Sequence, residues 1–216
     1  MIVVGSGGFA AEIIGYLRDC RSASPNGEPI LAGVVDDYAA DPAPANVCGL
    51  PFLGRLDDVP DPAGCRFVAA SGTPRFRKET IEIIRARGWA LHSVVHPTAI
   101  IARDAYVGEG TVIAPYAIVN ARARVGVGCA LNVFCSVGHD ASVGDYSVLS
   151  PYTALNGWSA IGELCFLGTR ATVFPRVRVG ARSMVDTHSF VRADTDERMI
   201  VSNRGEYRVL KNRLER

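Results

Sequence analysis

Aliphatic residues recur every six positions, without a miss, from Val95, Ile101 and Val107 through to Val179, Val185 and Val191. An α-helix repeats every 3.6 residues and an ordinary strand every two, so neither sustains this period. A fixed hexapeptide period is the mark of a parallel β-helix. A second column runs two residues ahead of the first and is small: Ala99, Ala105, Thr111, Ala117, Ala123, Cys129, Cys135, Ala141 and on to Ser189, with Val177 the one larger member. Strand alternation sends positions i and i−2 to the same face. Each side of the coil therefore has room inside for one large and one small residue. Three hexads close a triangular coil of eighteen residues, which predicts between five and six coils. Gly108, Gly126, Gly138, Gly144, Gly162, Gly168 and Gly180 each follow an aliphatic residue, where a corner with unusual backbone angles is expected.

Residues 1–90 follow a different pattern. Met1–Val4 is an apolar run ending at Gly5-Ser6-Gly7-Gly8, and Phe9 to Leu17 continues with helical spacing. Ile30–Val35 reads as a second strand closed by Asp36-Asp37. Cys65–Ala70 reads as a third, leading through Ser71-Gly72-Thr73-Pro74 into a helix over Arg75–Arg87. Strands alternating with helices imply a small parallel α/β sheet. Glycines directly after a first strand present bare N–H groups at a helix start, which suits a phosphate. Gly5-x-Gly7-Gly8 lacks the full GxGxxG pattern, since position 10 is Ala, and a tight strand–helix turn explains it equally well. The acidic pair adds carboxylates that can accept from ribose hydroxyls or a base N–H. A redox dinucleotide enzyme needs a larger sheet than this stretch supplies.

Charge narrows the classes further. The chain has 216 residues, 23 basic and 22 acidic, for a net charge of +1. That balance offers no field for nucleic acid or an anionic membrane. No apolar run approaches the ~20 residues of a membrane-spanning helix, and the chain enters a strand at once, without a basic leader. A cytoplasmic location is expected. Cys129, Cys135 and Cys165 sit in the small column, and Cys20, Cys48 and Cys65 have no zinc spacing, so the thiols read as reduced and structural.

The two halves together resemble the bacterial sugar O- and N-acyltransferases that join a Rossmann-like N-domain to a left-handed parallel β-helix. This family includes sialic-acid O-acetyltransferases and N-acetyltransferases of nucleotide-linked 4-amino-4,6-dideoxy sugars. The resemblance runs from Met1 to about Ala193. It rests on Val3-Val4-Gly5-Ser6-Gly7-Gly8, Val34-Val35-Asp36-Asp37, Gly49-Leu50-Pro51-Phe52-Leu53-Gly54, Val95-His96-Pro97-Thr98-Ala99 and, most tellingly, Val137-Gly138-His139-Asp140-Ala141-Ser142-Val143-Gly144-Asp145-Tyr146. It implies an α/β domain over 1–90, an acyltransferase β-helix over 91–195 whose handedness comes from the resemblance alone, and a tail over 196–216. It further implies a homotrimer with acetyl-CoA lying in the groove between neighbouring β-helices. The nucleotide-linked amino sugar would be held by Gly5, Gly7, Gly8, Phe9, Asp36, Asp37 and Gly72.

Acyl transfer from a thioester needs a base for the attacking group and a donor for the oxyanion. Histidine suits the first task near neutrality. His139 follows the inward Val137 by two, which puts it at a corner, and its place in the family's His-Asp pair implies the base. Asp140 is the candidate partner of its imidazole. Gly157 lies eighteen residues on, at the same corner, where a glycine is expected to leave space for the thioester and to aim its N–H at the acyl carbonyl. Gly168 and Arg170 complete the expected donor-binding set, with Arg204 a further candidate for the CoA phosphates. His92 and His188 read as surface or structural, and His96 as fixing the junction. The three zinc-binding histidines of a γ-class carbonic anhydrase are missing, so no metal is expected.

Three departures from the family pattern stand out. Val148 occupies the place of a second, donor-contacting histidine, Arg170 replaces a smaller residue, and the usual Gly-x-Pro-Ala-Lys ending is absent. The chain ends instead in a basic stretch containing Arg208, Lys211, Arg213 and Arg216. The primary expectation is CoA-dependent N-acetylation of a nucleotide-linked 4-amino-4,6-dideoxy sugar. O-acetylation of a sialic-acid-like sugar, or a nucleotide-sugar-binding scaffold with a decayed acyl site, remain as alternatives. Outward apolar residues including Ile100, Tyr106, Val112, Ile118, Phe134, Phe166, Phe174 and Phe190 are expected in part between subunits.

Overall fold

The computed structural model describes residues 1–23, 30–39, 44–59, 64–203 and 205. Arg204 and the basic stretch from Arg208 to Arg216 lie outside the described residues. No helix among the described residues is long and apolar enough to cross a membrane.

The chain opens with β1 (Ile2–Val4), α1 (Gly8–Ala23), β2 (Gly33–Val35), the hairpin β3 (Asn46–Val47) and β4 (Leu50–Pro51), β5 (Arg66–Ala69), α2 (Pro74–Ala86) and β6 (Ala90–Leu91). β2, β1, β5 and β6 lie side by side in that order, all parallel. Ile2 to Val4, Val34, Val35 and Phe67 to Ala69 are buried, as strands covered on both faces require. α1 buries Ala10, Ile13, Ile14 and Leu17, the spacing of a single helical stripe. Pro74 opens α2, where a missing N–H costs nothing. β2 is shorter than the apolar run that contains it. The hairpin and β6 are unforeseen, because two-residue strands carry no period to detect.

From Val94 to Val201 the chain winds into a parallel β-solenoid of about six turns, consistent with left-handed winding. Each coil contributes one two-residue strand to each of three faces. Face one runs from Val94–Val95 to Ile200–Val201, face two from Ile100–Ile101 to Phe190–Val191, and face three from Tyr106–Val107 to Arg178–Val179. Every pairing within the hexad series joins residue i to i+18, as in Ile113 with Leu131 and Val137 with Leu155. The pairing of Ile200–Val201 with Met184–Val185 carries face one past residue 195.

The aliphatic and small columns form one core, from Ile113 to Val191. Val95 is the exception: it stands at the open first coil and is 39% exposed. The small column also satisfies itself. Thr111 Oγ1, Ser147 Oγ and the Cys129 and Cys165 thiols donate to the carbonyls of Gly126, Gly162, Gly144 and Gly180, each fifteen residues on. Burial pushes the Cys129 and Cys135 thiols up to about 12, so they pack as protonated, inert groups. None of the six cysteines is in a disulfide among the described residues.

The glycines that follow the aliphatic column have a different cause from the one expected. Unusual backbone angles fall three residues after the aliphatic, mostly on non-glycine residues. The column glycines are needed for space: a Cβ at Gly144 would stand 2.3 Å from the Gly162 carbonyl carbon, and one at Gly108 2.6 Å from that of Gly126.

The α/β sheet rests on the first coils of face one. Val94 and Val112 share a cluster with Val3, Ala10, Ile14 and Val68, so Val112, expected at a subunit contact, is covered by its own chain. His96 is buried with Nε2 3.2 Å from Asp19 and Nδ1 2.8 Å from Thr98 Oγ1, which ties α1 to the first coil. The strongest tie is Arg77 of α2, which is fully buried. Its Nε donates to the Gly128 carbonyl at 2.7 Å. Nη1 donates to Ala69 and Ser71, and Nη2 to Gly110 and Cys129. Burial lowers its pKa to about 10, which leaves it charged at neutrality. The helix comes so close that a Cβ at Gly128 would lie 2.4 Å from Ile81. Replacing Arg77 with Met strands several buried carbonyls, each worth ~1–3 kcal/mol. The expected outcome is a fall of ~6–12 °C in thermal midpoint, read by calorimetry, for a total loss of ~3 kcal/mol.

Candidate active site

Three corners separate the faces. The residue three past each aliphatic sits there in the left-handed region, including Tyr116 (φ 59°), Arg122 (58°), Asp140 (60°), Trp158 (60°), Arg170 (61°) and Arg176 (66°). For an L-residue this conformation costs roughly 1–2 kcal/mol. It persists because the ladders on both sides over-determine it, and it throws the side chain outward. Chemistry on this solenoid therefore collects in corner columns.

The corner between faces two and three carries Arg122, His139, Asp140, Gly157, Trp158 and Arg176. His139 Nδ1 lies 2.9 Å from Asp140 Oδ2. Arg122 grips the same carboxylate at both oxygens, Nε to Oδ1 at 2.7 Å and Nη2 to Oδ2 at 2.9 Å. That guanidinium first, and the imidazole second, hold the Asp140 carboxyl at about 2. A carboxylate on Nδ1 selects the tautomer with its proton there. Nε2 keeps its lone pair and has no hydrogen-bond partner among the described residues. Trp158 packs edge-to-face on the imidazole with centroids 4.3 Å apart, and the Arg176 guanidinium lies 4.5 Å over the indole.

Gly157 stands beside the histidine, but the expected empty shelf for a thioester is filled. A Cβ there would lie 2.6 Å from His139 Nε2, so the glycine makes room for the imidazole itself. The coil rise of ~4.8 Å brings the ring over the next corner. The Gly157 N–H has no acceptor among the described residues. Asp140, Ser142, Trp158, Ser159, Ala160, Arg176 and Arg178 line an open groove beside this corner, running onto face three.

Gly168 and Arg170 belong elsewhere. Gly168 accommodates Thr187, whose N would be 2.7 Å from a Cβ. Arg170 is on the corner between faces one and two, with its guanidinium 5.0 Å over the Tyr152 ring. There it ends a stack of Tyr116, Phe134 and Tyr152, with centroids 5.0 and 4.9 Å apart. A whole face separates it from His139. Val148 is buried on face one, across the triangle from the histidine. Neither His92 nor His188 shares the His139 corner. No group of three His, Cys, Asp or Glu among the described residues is placed to hold a metal ion.

The expected substrate residues converge. Gly5, Gly7, Gly8, Phe9, Asp36, Asp37 and Gly72 all line one cavity of about 330 Å³, with Ser6, Tyr38, Ser71, Phe76 and Thr80. It lies past the carboxyl ends of β1, β2 and β5, where the strand order reverses, which is where open α/β sheets take their ligands. A Cβ at Gly7 or Gly8 would meet nothing within 4 Å, so the floor is open backbone. Asp36 is partly consumed: Oδ2 accepts from Ser6 N at 2.8 Å and Ser6 Oγ at 2.6 Å, and Oδ1 from Tyr38 N at 2.9 Å. Asp37 Oδ1 accepts from Leu56 N at 2.8 Å. Tyr38 and Phe76 escape sequence reasoning, since a lone aromatic in a loop and another on a helix give no periodic signal.

Solved structures match this architecture over nearly its whole length. PerB from Caulobacter crescentus, in complex with CoA and GDP-perosamine, is 31% identical, covers 92% of this chain and 91% of its own, and superposes with a TM-score of 0.82. A histidine-to-asparagine variant of perosamine N-acetyltransferase from the same organism is 30% identical over the same shares, with a TM-score of 0.83. This chain belongs to the hexapeptide-repeat sugar acyltransferases. The acetyltransferase domain of PglB from Neisseria gonorrhoeae is a further such acyltransferase with this fold, 25% identical with a TM-score of 0.79 over 89% of this chain and 91% of its own. No family model matches the sequence.

For this sugar acyltransferase, the Arg122–Asp140 pair has a measurable signature. The folded-state carboxyl is depressed, so its contribution to stability is full above its ordinary value near 4 and is lost as pH falls towards about 2. Carboxyl NMR titration should place the Asp140 midpoint near 2. Arg122→Gln should return it most of the way to the ordinary range, and an unchanged midpoint would refute the pairing.

Proposed function

We propose that this chain is an acetyl-CoA-dependent N-acetyltransferase of a nucleotide-linked 4-amino-4,6-dideoxy sugar. The observation that carries the reading is the His139–Asp140 pair, with Nε2 unengaged beside Gly157, in a chain 31% identical over 91% of a protein solved with CoA and GDP-perosamine. In this reading residues 1–90 form a Rossmann-like nucleotide-sugar domain and 91–195 a left-handed β-helix that performs the transfer.

The chemistry follows from the geometry. Asp140 holds the Nδ1 proton, so Nε2 can take a proton from the sugar amine as its nitrogen attacks the thioester carbonyl. The carbonyl π electrons move to oxygen, where the Gly157 N–H donates a hydrogen bond. Collapse of the tetrahedral intermediate breaks the carbon–sulfur bond. The departing thiolate takes the proton back from the imidazolium, which leaves an amide, free CoA and a neutral histidine.

Gly168 and Arg170 can serve this histidine only from a neighbouring copy, since a face of the same solenoid lies between them. That placement agrees with a homotrimer holding its sites between chains. The stacked Tyr116, Phe134 and Tyr152, which are 54, 45 and 46% exposed, supply apolar surface for such a contact. Val148 faces away from the His139 corner, so its loss of a histidine leaves the base and its partner intact.

Thiol release from acetyl-CoA in the presence of UDP-, dTDP- or GDP-linked 4-amino-4,6-dideoxy sugars tests the reading. One acceptor is expected to turn over, with His139→Ala lowering kcat roughly 10²–10⁴-fold. The KM for the nucleotide sugar should stay within a few-fold. A variant as fast as wild type would remove His139 from the base role, and turnover confined to hydroxyl sugars would replace N- by O-acetylation.

A further inference from the structure

Two aromatic rings stand at the cavity beyond the ends of β1, β2 and β5, and neither belongs to the packed core. Tyr38 and Phe76 have centroids 5.2 Å apart at 49°, and both line the cavity. Tyr38 is 73% exposed and Phe76 40%. A tyrosine this exposed gives up most of the burial that usually holds such a ring. Its backbone is nevertheless fixed, because its N–H donates to Asp36 Oδ1. Phe76 is fixed from the other side as the third residue of α2. The rings come from separate parts of the chain and meet only through the fold.

The polar groups at this end of the cavity are largely engaged. Both Asp36 oxygens accept from the protein, and Asp37 gives one oxygen to Leu56. Asp36 thus holds the loop in shape, while Asp37 keeps Oδ2 without a hydrogen-bond partner among the described residues. What the cavity offers a ligand is open backbone at Gly7 and Gly8 and, beside it, exposed π-faces. A phosphate needs the first, and a flat aromatic group suits the second.

We propose that Tyr38 and Phe76 form an aromatic platform on which the nucleobase of the sugar nucleotide stacks, and that they determine base preference. The inference rests on the nucleotide-sugar reading of the cavity and adds which residues recognise the base and how. At 5.2 Å the rings contact one another, and a base inserted between them would need two stacking distances. The base therefore lies against the exposed side of the pair. Recognition by π-face tolerates any base and ranks them by stacking area, so guanine should bind more tightly than uracil.

Calorimetric titration of the full chain with GDP, UDP and inorganic pyrophosphate tests this, using wild type, Tyr38→Ala, Phe76→Ala and Tyr38→Phe. Both side chains are exposed, so the variants should keep the wild-type melting temperature. Each alanine variant is expected to bind GDP about 5- to 150-fold more weakly, the range of a lost base stack. GDP should lose more than UDP, pyrophosphate affinity should be unchanged, and Tyr38→Phe should bind like wild type. Wild-type binding of GDP with unaltered affinity in both alanine variants would overturn the platform and leave the nucleotide site standing. Equal losses for pyrophosphate and GDP would also overturn it, by marking a collapsed cavity. Failure of every nucleoside diphosphate to bind wild type would overturn the nucleotide reading itself, and the platform with it.

Discussion

The narrowness of the coil governs this molecule. Eighteen residues enclose a triangle with space inside each face for one aliphatic and one small side chain, and successive coils approach until a single added carbon at Gly144 would collide with the backbone at Gly162. Such a stack has one register. A slip of one residue would turn the aliphatic column outward, and a larger residue in the small column has nowhere to go. The same constraint arranges the chemistry. Side chains eighteen apart must lie above one another, so Arg122, Asp140, Trp158 and Arg176 form a column although they are distant in sequence. The strained corner residues are one set of outlets in this arrangement, beside outward strand positions such as Ile100 and Met184.

A second constraint sets the α/β sheet against the solenoid. Arg77 is a buried cation with no carboxylate partner among the described residues; five carbonyls take its five N–H groups, two from its own sheet region and three from the solenoid. A buried charge is tolerable only when it is hydrogen-bonded throughout. Small displacements of α2 would break several of those bonds at once, which makes the arginine a rigid rivet. The left-handed corner glycines at 110 and 128 allow α2 to come that close, where other coils carry tyrosine, leucine or arginine. His96 with Asp19 performs a weaker version of the same task for α1.

The two candidate sites use their polar groups differently. At the solenoid corner, Asp140, held by Arg122, engages only Nδ1 of His139 and leaves Nε2 unengaged beside Gly157. In the α/β cavity Asp36 serves as an internal brace, and Asp37 does so with one oxygen. Ser6 and Tyr38 occupy both oxygens of Asp36, and Leu56 occupies one of Asp37. The aromatic rings there are left for recognition.

The hexapeptide period determined the solenoid, its three-sided coil and its inward columns, because the cross-section admits so few side chains that the pattern cannot hide. It also placed His139, Asp140 and Gly157 at one corner, since eighteen residues return the chain to the same place. The glycine turn at Gly5, Gly7 and Gly8 and the acidic pair Asp36-Asp37 mark themselves locally at strand ends, while Phe9 and Gly72 came with the family resemblance. Only the tertiary structure decided that the column glycines answer crowding between coils and that Gly157 shelters an imidazole. It alone brought Tyr38 to Phe76 and Arg77 to the carbonyls of Gly110 and Gly128. Those outcomes depend on how separate elements dock, and single side chains at a docking surface leave no period in the sequence to announce them.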